Sequence, residues 1–151
     1  MTTSANGCGN GSATLRDLDR LDTGPLVAAL NISDRRHAEC ASLLVSLPGR
    51  RLLPSPVMTE VCWLIERWPK VEAGFLNEVA RGTFELVHLV SADLIRMGQL
   101  VVQYADFPLG AVDASVVAVA ERFGTGRVAT LDQRHFNTVR PAHLPALTLL
   151  P

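Results

Sequence analysis

From about residue 14 onward, the apolar and polar positions fall into alternating strand-like and helix-like pieces. A first strand is expected to end at Leu21-Asp22, although Arg16, Asp17, Asp19 and Arg20 interrupt it. Thr23-Gly24-Pro25 turns the chain, and Pro25 suits the first position of a short helix through Leu30. Asp34 is placed to cap a helix to about Leu47, with His37, Cys40, Ala41, Leu44 and Leu47 as its inward stripe. Pro48-Gly49 ends it, and Arg51 to Leu53 reads as a short strand.

Pro56 to Trp68 is the clearest amphipathic helix, with Val57, Val61, Leu64, Ile65 and Trp68 on one face. Pro69 opens the next helix, which turns Val71, Phe75 and Val79 inward and stops at Gly82. Phe84 to Leu89 predicts a strand. Ser91 caps a helix whose stripe is Leu94, Met97, Val101 and Tyr104. After Phe107-Pro108-Leu109-Gly110 comes an almost wholly apolar helix, Ala111 to Phe123. Gly124-Thr125-Gly126 leads into a strand over Arg127 to Leu131, and Ala146 to Leu150 predicts the last one. Strands alternating with helices imply a sheet covered on both faces, with ligands bound beyond the carboxyl ends of its strands.

The length, 151 residues, suits one domain. Residues 1–13, rich in Gly, Ser, Thr and Asn, predict a disordered tail, and 14–151 the domain. Hydrophobic residues make up 48%, enough for a substantial core. Charged residues are 19% and the net charge is −1, which argues against a large basic nucleic-acid surface. A nuclease stays open, because metal ions can supply the positive charge that phosphates meet. Cys8, Cys40 and Cys62 have no paired spacing, so no disulfide framework is expected and a reducing compartment is. No apolar run approaches about 20 residues, and the start has no signal-peptide core. A soluble cytoplasmic protein is the expectation, with no membrane role.

Most of the 15 acidic residues are ordinary surface charges. Four stand apart. At about 100° per residue, Glu60 lies about 80° from the centre of its helix's apolar stripe, whereas Glu66 points away. Asp113 aligns with Val116, Val117 and Ala120, so it faces the apolar interface from the first turn. Helix capping is the competing reading there. Asp22 and Asp132 each follow a strand, where an N-cap is again the bland alternative. A sheet that gathered all four would make one acidic pocket, and clustered carboxylates need a cation. An all-carboxylate site suits Mg²⁺, or Mn²⁺, rather than Zn²⁺. His37, His88, His135 and His143 are scattered and read as structural or surface residues first. Such a metal site suits phosphodiester hydrolysis.

Leu21-Asp22-Thr23-Gly24-Pro25-Leu26-Val27-Ala28 resembles the opening motif of PIN domains. Thr59-Glu60-Val61 resembles their helical Glu motif. Leu109-Gly110-Ala111-Val112-Asp113-Ala114-Ser115 resembles the third motif, and Ala129-Thr130-Leu131-Asp132-Gln133-Arg134-His135-Phe136 the fourth. The likeness runs from about Leu21 to Arg140, in order and in spacing. The small size and the Asp-Ala-Ser and Thr-Leu-Asp motifs look like bacterial VapC toxins. The resemblance implies a three-layer α/β/α PIN-like fold with a central, mainly parallel sheet. It implies a Mg²⁺-dependent endoribonuclease, the toxin of a type II toxin–antitoxin module, with an RNA substrate, a VapB-type antitoxin that blocks the site, and a homodimer. Asp22 and Asp113 would be the principal metal ligands, Glu60 would complete the site or orient water, and Asp132 would bind a second or transient metal. Thr23 and Thr130 would bond to the acids or to waters. This sequence departs from the pattern in its polar first strand and in the residues before it.

Two other readings compete. A phosphohydrolase working through an aspartyl-phosphate needs an acid–base partner and a Lys. Here Thr-Gly follows Asp22, and Lys70 is the only lysine. A non-catalytic RNA- or protein-binding module on a PIN scaffold would be expected to lose acids, and this chain keeps all four. Arg35, Arg36, Arg134 and Lys70 could contact phosphates, although solvated surface charge is the simpler reading.

Overall fold

The structure, a computed structural model, describes residues 18–107 and 109–151. The expected tail over 1–13, together with Cys8, lies outside the described residues. The elements run β1 (Leu18–Leu21), α1 (Thr23–Leu30), α2 (His37–Ser46), β2 (Arg50–Pro54), α3 (Ser55–Ile65) and α4 (Pro69–Ala80). They continue with β3 (Glu85–Val87), α5 (Ser91–Gln103), α6 (Ala111–Phe123), β4 (Arg127–Ala129), α7 (Gln133–Thr138) and β5 (Thr148–Leu150). The strands form one sheet in the order β3-β2-β1-β4-β5, and every pairing is parallel. The expectation of a mainly parallel sheet holds in its strongest form.

All four residues of β1 are buried, so both faces of the central strand are covered, as parallel sheets require. Leu18 and Leu52 pack with Val87 and Val119 in a small cluster. The larger core gathers Leu21 and Leu53 with Leu26, Val57, Val61, Ile65, Phe75, Val116 and Val117. The polar character of β1 is accommodated by pairing. Asp19, fully buried, meets Nε of its cross-strand neighbour Arg127 at 2.9 Å. Arg20, equally buried, donates through Nη1 to the Thr125 carbonyl at 2.8 Å. Burial pulls its pKa down to about 10, against the opposing pull of Asp19.

Three helices depart from the expected pattern. α2 starts at His37, because Asp34 Oδ1 accepts from the Arg36 N–H and its carbonyl from the His37 N–H, closing a separate turn first. α3 stops at Ile65 and leaves Leu64 exposed, since the residue before Pro69 is disfavoured in helical geometry. α5 buries Asp93 and Leu100, whereas Leu94 and Val101 are exposed. Of the expected stripe, Met97 and Tyr104 pack against the core, while Asp93 and Leu100 take the inward places expected of Leu94 and Val101. Ion pairs to α6 set the rotation: Arg122 reaches Asp93 at 3.2 Å, and Arg96 grips Glu121 at 2.7 and 3.0 Å. α6 matches its expected bounds and ends at Gly124, whose φ of +64 is left-handed. Cys40 is buried and Cys62 partly so, both as free thiols. Among the described residues no helix is long and apolar enough to cross a membrane.

Candidate active site

The chain leaves β1 toward β2 on one side and returns through β4 on the other, so the strand order reverses between β1 and β4. In open parallel sheets ligands bind in the crevice at such a reversal, beyond the carboxyl ends of the strands. Asp22 follows β1 and Asp132 lies three residues beyond β4, so both stand at that crevice. Gly24 lets α1 approach the end of β4 closely. A Cβ at Gly24 would come within 3.1 Å of the Leu131 Cβ. Glu60 enters from the middle of α3, and Asp113 from the first turn of α6.

These four acids line one open cleft of about 730 Å³, together with Thr23, Gly24, Arg36, Leu131, Gln133 and Arg134. Asp22 is 5% exposed and makes no side-chain cap to α1. Its Oδ2 instead accepts from the Thr130 hydroxyl at 2.7 Å. The Thr130 Oγ1 also accepts from the Asp132 N–H at 2.9 Å, so one hydroxyl fixes both strand-end acids. The Thr23 hydroxyl donates to Glu60 Oε2 at 2.5 Å. Asp113 accepts from the Gly110 N–H at 3.3 Å, and Asp132 from the His135 N–H at 3.1 Å. The capping readings therefore hold for Asp113 and Asp132, alongside their place in the cleft. Asp22 is not a cap.

The electrostatics follow from crowding and burial. Asp22 is pushed up to about 6, first by burial, with Asp113 and Glu60 adding to the rise. Thr130 and the Thr23 N–H pull the other way. Asp113 is also raised, again mainly by burial, with Asp132 and Glu60 adding and His135 and the Gly110 N–H opposing. A cation near these oxygens would relieve both shifts. The four acids offer carboxylate oxygens, the donor type that suits a hard divalent ion such as Mg²⁺. Among the described residues no three His, Cys, Asp or Glu side chains are grouped tightly enough to enclose an ion. Glu60 is held by Thr23, and Asp132 by His135, whose Nδ1 lies 2.8 Å from Asp132 Oδ2.

His135, expected first as a structural or surface residue, holds a structural place: its Nδ1 is 2.8 Å from Asp132 and 3.7 Å from Asp113. The sequence did not show this contact with the acids, although its position three residues after Asp132 at a helix start was the available signal. Arg36 and Arg134 belong to the cleft lining, whereas Arg35 and Lys70 do not.

The sequence pattern of the family described as "PIN domain" matches residues 21–140. A Mycobacterium tuberculosis protein named Ribonuclease VapC26 is 29% identical over 133 residues, covering 87% of this chain and 98% of its own. Among solved structures, VapC20 of M. tuberculosis, described as a sarcin-ricin-loop-cleaving toxin, superposes with a TM-score of 0.68 at 20% identity. That match covers 73% of this chain and 86% of the other. VapBC2 from Rickettsia felis, solved bound to a promoter DNA fragment, gives 0.64 at 16% identity over 89% of this chain and 99% of the other. At these identities the two structures speak to the fold.

Proposed function

The chain belongs to the PIN-domain family, and from that premise we propose that it is a Mg²⁺-dependent endoribonuclease, the toxin of a type II toxin–antitoxin pair. The observation that carries the reading is the convergence of Asp22, Glu60, Asp113 and Asp132 from four separate elements on one cleft. The likeness to Ribonuclease VapC26 over most of both chains supports RNA as the substrate. The likeness to VapBC2 from Rickettsia felis supports a VapB-type antitoxin as partner. The chain would work as a homodimer.

Asp22, Asp113, Glu60 and Asp132 would hold the cation. When bound, it supplies polarisation of the phosphoryl group and a water of lowered pKa. The remaining tasks fall to the chain itself. Thr130 fixes the Asp22 carboxylate and the Asp132 backbone relative to each other, which sets the spacing across the crevice. Thr23 orients Glu60 toward the same space. His135 steadies Asp132 from the far side. Positions held this way need no reorganisation when charge develops on the reacting phosphate. An antitoxin would cover the cleft by presenting Arg or Lys to these carboxylates.

The test is cleavage of a structured RNA substrate with Mg²⁺ and with chelator. Mg²⁺-dependent internal cleavage is expected. RNA binding without cleavage under any divalent ion would instead favour a non-catalytic binding module.

A further inference from the structure

Two guanidinium groups line the acidic cleft, and they are in different states. Arg36 donates from Nε and Nη2 to Glu39 at 2.9 and 3.1 Å, so its charge is already matched. Arg134 makes no ion pair among the described residues, although carboxylates share the cleft with it. Its guanidinium carbon instead lies 5.2 Å from the ring centroid of Phe107, in the connection between α5 and α6. The same ring meets His135 edge-on, with centroids 5.0 Å apart and planes at 81°. Two neighbouring residues of α7 thus use one aromatic ring. His135 fixes an acid, and Arg134 lies over the ring.

A guanidinium laid on an aromatic face keeps its N–H donors available at the edge, and the stack holds it in place. An arginine beside a cluster of carboxylates would ordinarily fold onto one of them. Phe107 offers Arg134 a competing seat at the rim. The acids of the cleft repel phosphates other than one held at a bound cation, so flanking phosphates need a basic group to neutralise them. We propose that Arg134, seated on Phe107, binds a phosphate flanking the one that is cleaved, and that this contact sets RNA affinity rather than the chemical step. The proposal rests on the nuclease reading above.

The competing account is that Phe107 only packs the α5–α6 connection against α7. The experiment is binding of a labelled single-stranded oligoribonucleotide in the Asp113→Asn background, which prevents cleavage, across a salt series. Arg134→Ala should weaken binding about tenfold or more, the scale of a charge-assisted contact. It should also flatten the slope of log affinity against log salt by about 0.7, one phosphate's share. Arg134→Lys should keep the slope and recover part of the affinity. Phe107→Leu preserves apolar packing but removes the aromatic face, and should weaken binding about two- to fivefold with an unchanged melting temperature. In the Asp113 parent, Arg134→Ala should raise KM and leave kcat within about twofold, since it spares the reacting phosphate. A parent that cleaves RNA while Arg134→Ala leaves affinity and salt slope unchanged overturns the inference and spares the nuclease reading. A fall in kcat at unchanged affinity also overturns it. No RNA binding by either protein overturns both.

Discussion

Burial makes Asp22 a source of instability until its charge is matched, and the effect can be measured. In the unfolded chain the carboxyl titrates near 3.8, and in the folded chain near 6. The folded pKa is the higher, so the associated stability is fully present below about pH 4 and is lost as pH rises through about 6. A gap of about two units, at about 1.4 kcal/mol per unit, gives a loss of about 3 kcal/mol. Little solvent discount applies, because Asp22 is 5% exposed. Asp22→Asn keeps an acceptor for the Thr130 hydroxyl and removes the ionisation. In chelator, the variant should gain on the parent between about pH 4 and 6 and be the more stable protein at neutral pH. At about 2–4 °C per kcal/mol for a chain of this size, the gap in melting temperature is easily read. Urea unfolding of both proteins at several pH values isolates the Asp22 term, since other titrating groups cancel in the difference. Mg²⁺ should stabilise the parent at neutral pH by mass action and leave the variant nearly unmoved. A stability difference independent of pH, or a variant less stable than the parent in neutral chelator, would refute the argument from burial.

Further outcomes follow from the same geometry. Asp113→Asn should lower RNA cleavage by several orders of magnitude, whereas Glu66→Gln, exposed beyond the end of α3, should cleave as the parent does. Thr130→Val leaves the buried Asp22 carboxylate and the Asp132 N–H without their shared hydroxyl, and should destabilise the fold by about 1–3 kcal/mol in thermal or urea unfolding. Arg20→Met removes the donor to the Thr125 carbonyl and the positive charge beside buried Asp19, and should destabilise the fold by about 1–3 kcal/mol on the same measurement. Purification from the native host should recover a complex with a small basic-tailed protein; recovery of free chain alone would count against the toxin role and not against the nuclease.

How far the fold was legible depended on what turned each helix. α6 is apolar on most sides and buries seven consecutive residues, Ala114 to Ala120, so its bounds followed from composition alone. α5 is amphipathic, but its rotation is decided by Arg122–Asp93 and Arg96–Glu121, which are contacts with another helix. Hydrophobic periodicity carries no information about such pairs, so Met97 and Tyr104 face the core as expected while Leu94 and Val101 do not. The polar β1 forms where it was expected, for a reason the local pattern does not carry. Asp19 and Arg20 lower its apparent strand character, yet Arg127 and the Thr125 carbonyl, more than a hundred residues away, are what make their burial tolerable.

The acids were legible because each broke a local rule: Glu60 and Asp113 lean toward apolar faces, and Asp22 and Asp132 sit where strands end. What holds them was less legible, because the contacts cross between elements. Thr23 and Thr130 were expected to bond to acids or waters, but the partners, Glu60 for one and both Asp22 and Asp132 for the other, depend on the β1–β4 reversal. The contact of His135 with the acids was illegible for a related reason. A lone histidine on a short helix carries no periodic signal, and only the approach of α6 brings Asp113 to its ring. The reversal in strand order therefore does more than open a crevice. It puts a hydroxyl from the β4 end against a carboxylate from the β1 end, so two acids distant in sequence are set at a fixed spacing by one bonded residue. Any substitution that slips the β1–β4 register would separate them without touching either acid. Loss of activity with a retained fold is thus expected from strand-end positions such as Ala129 as well as from the carboxylates.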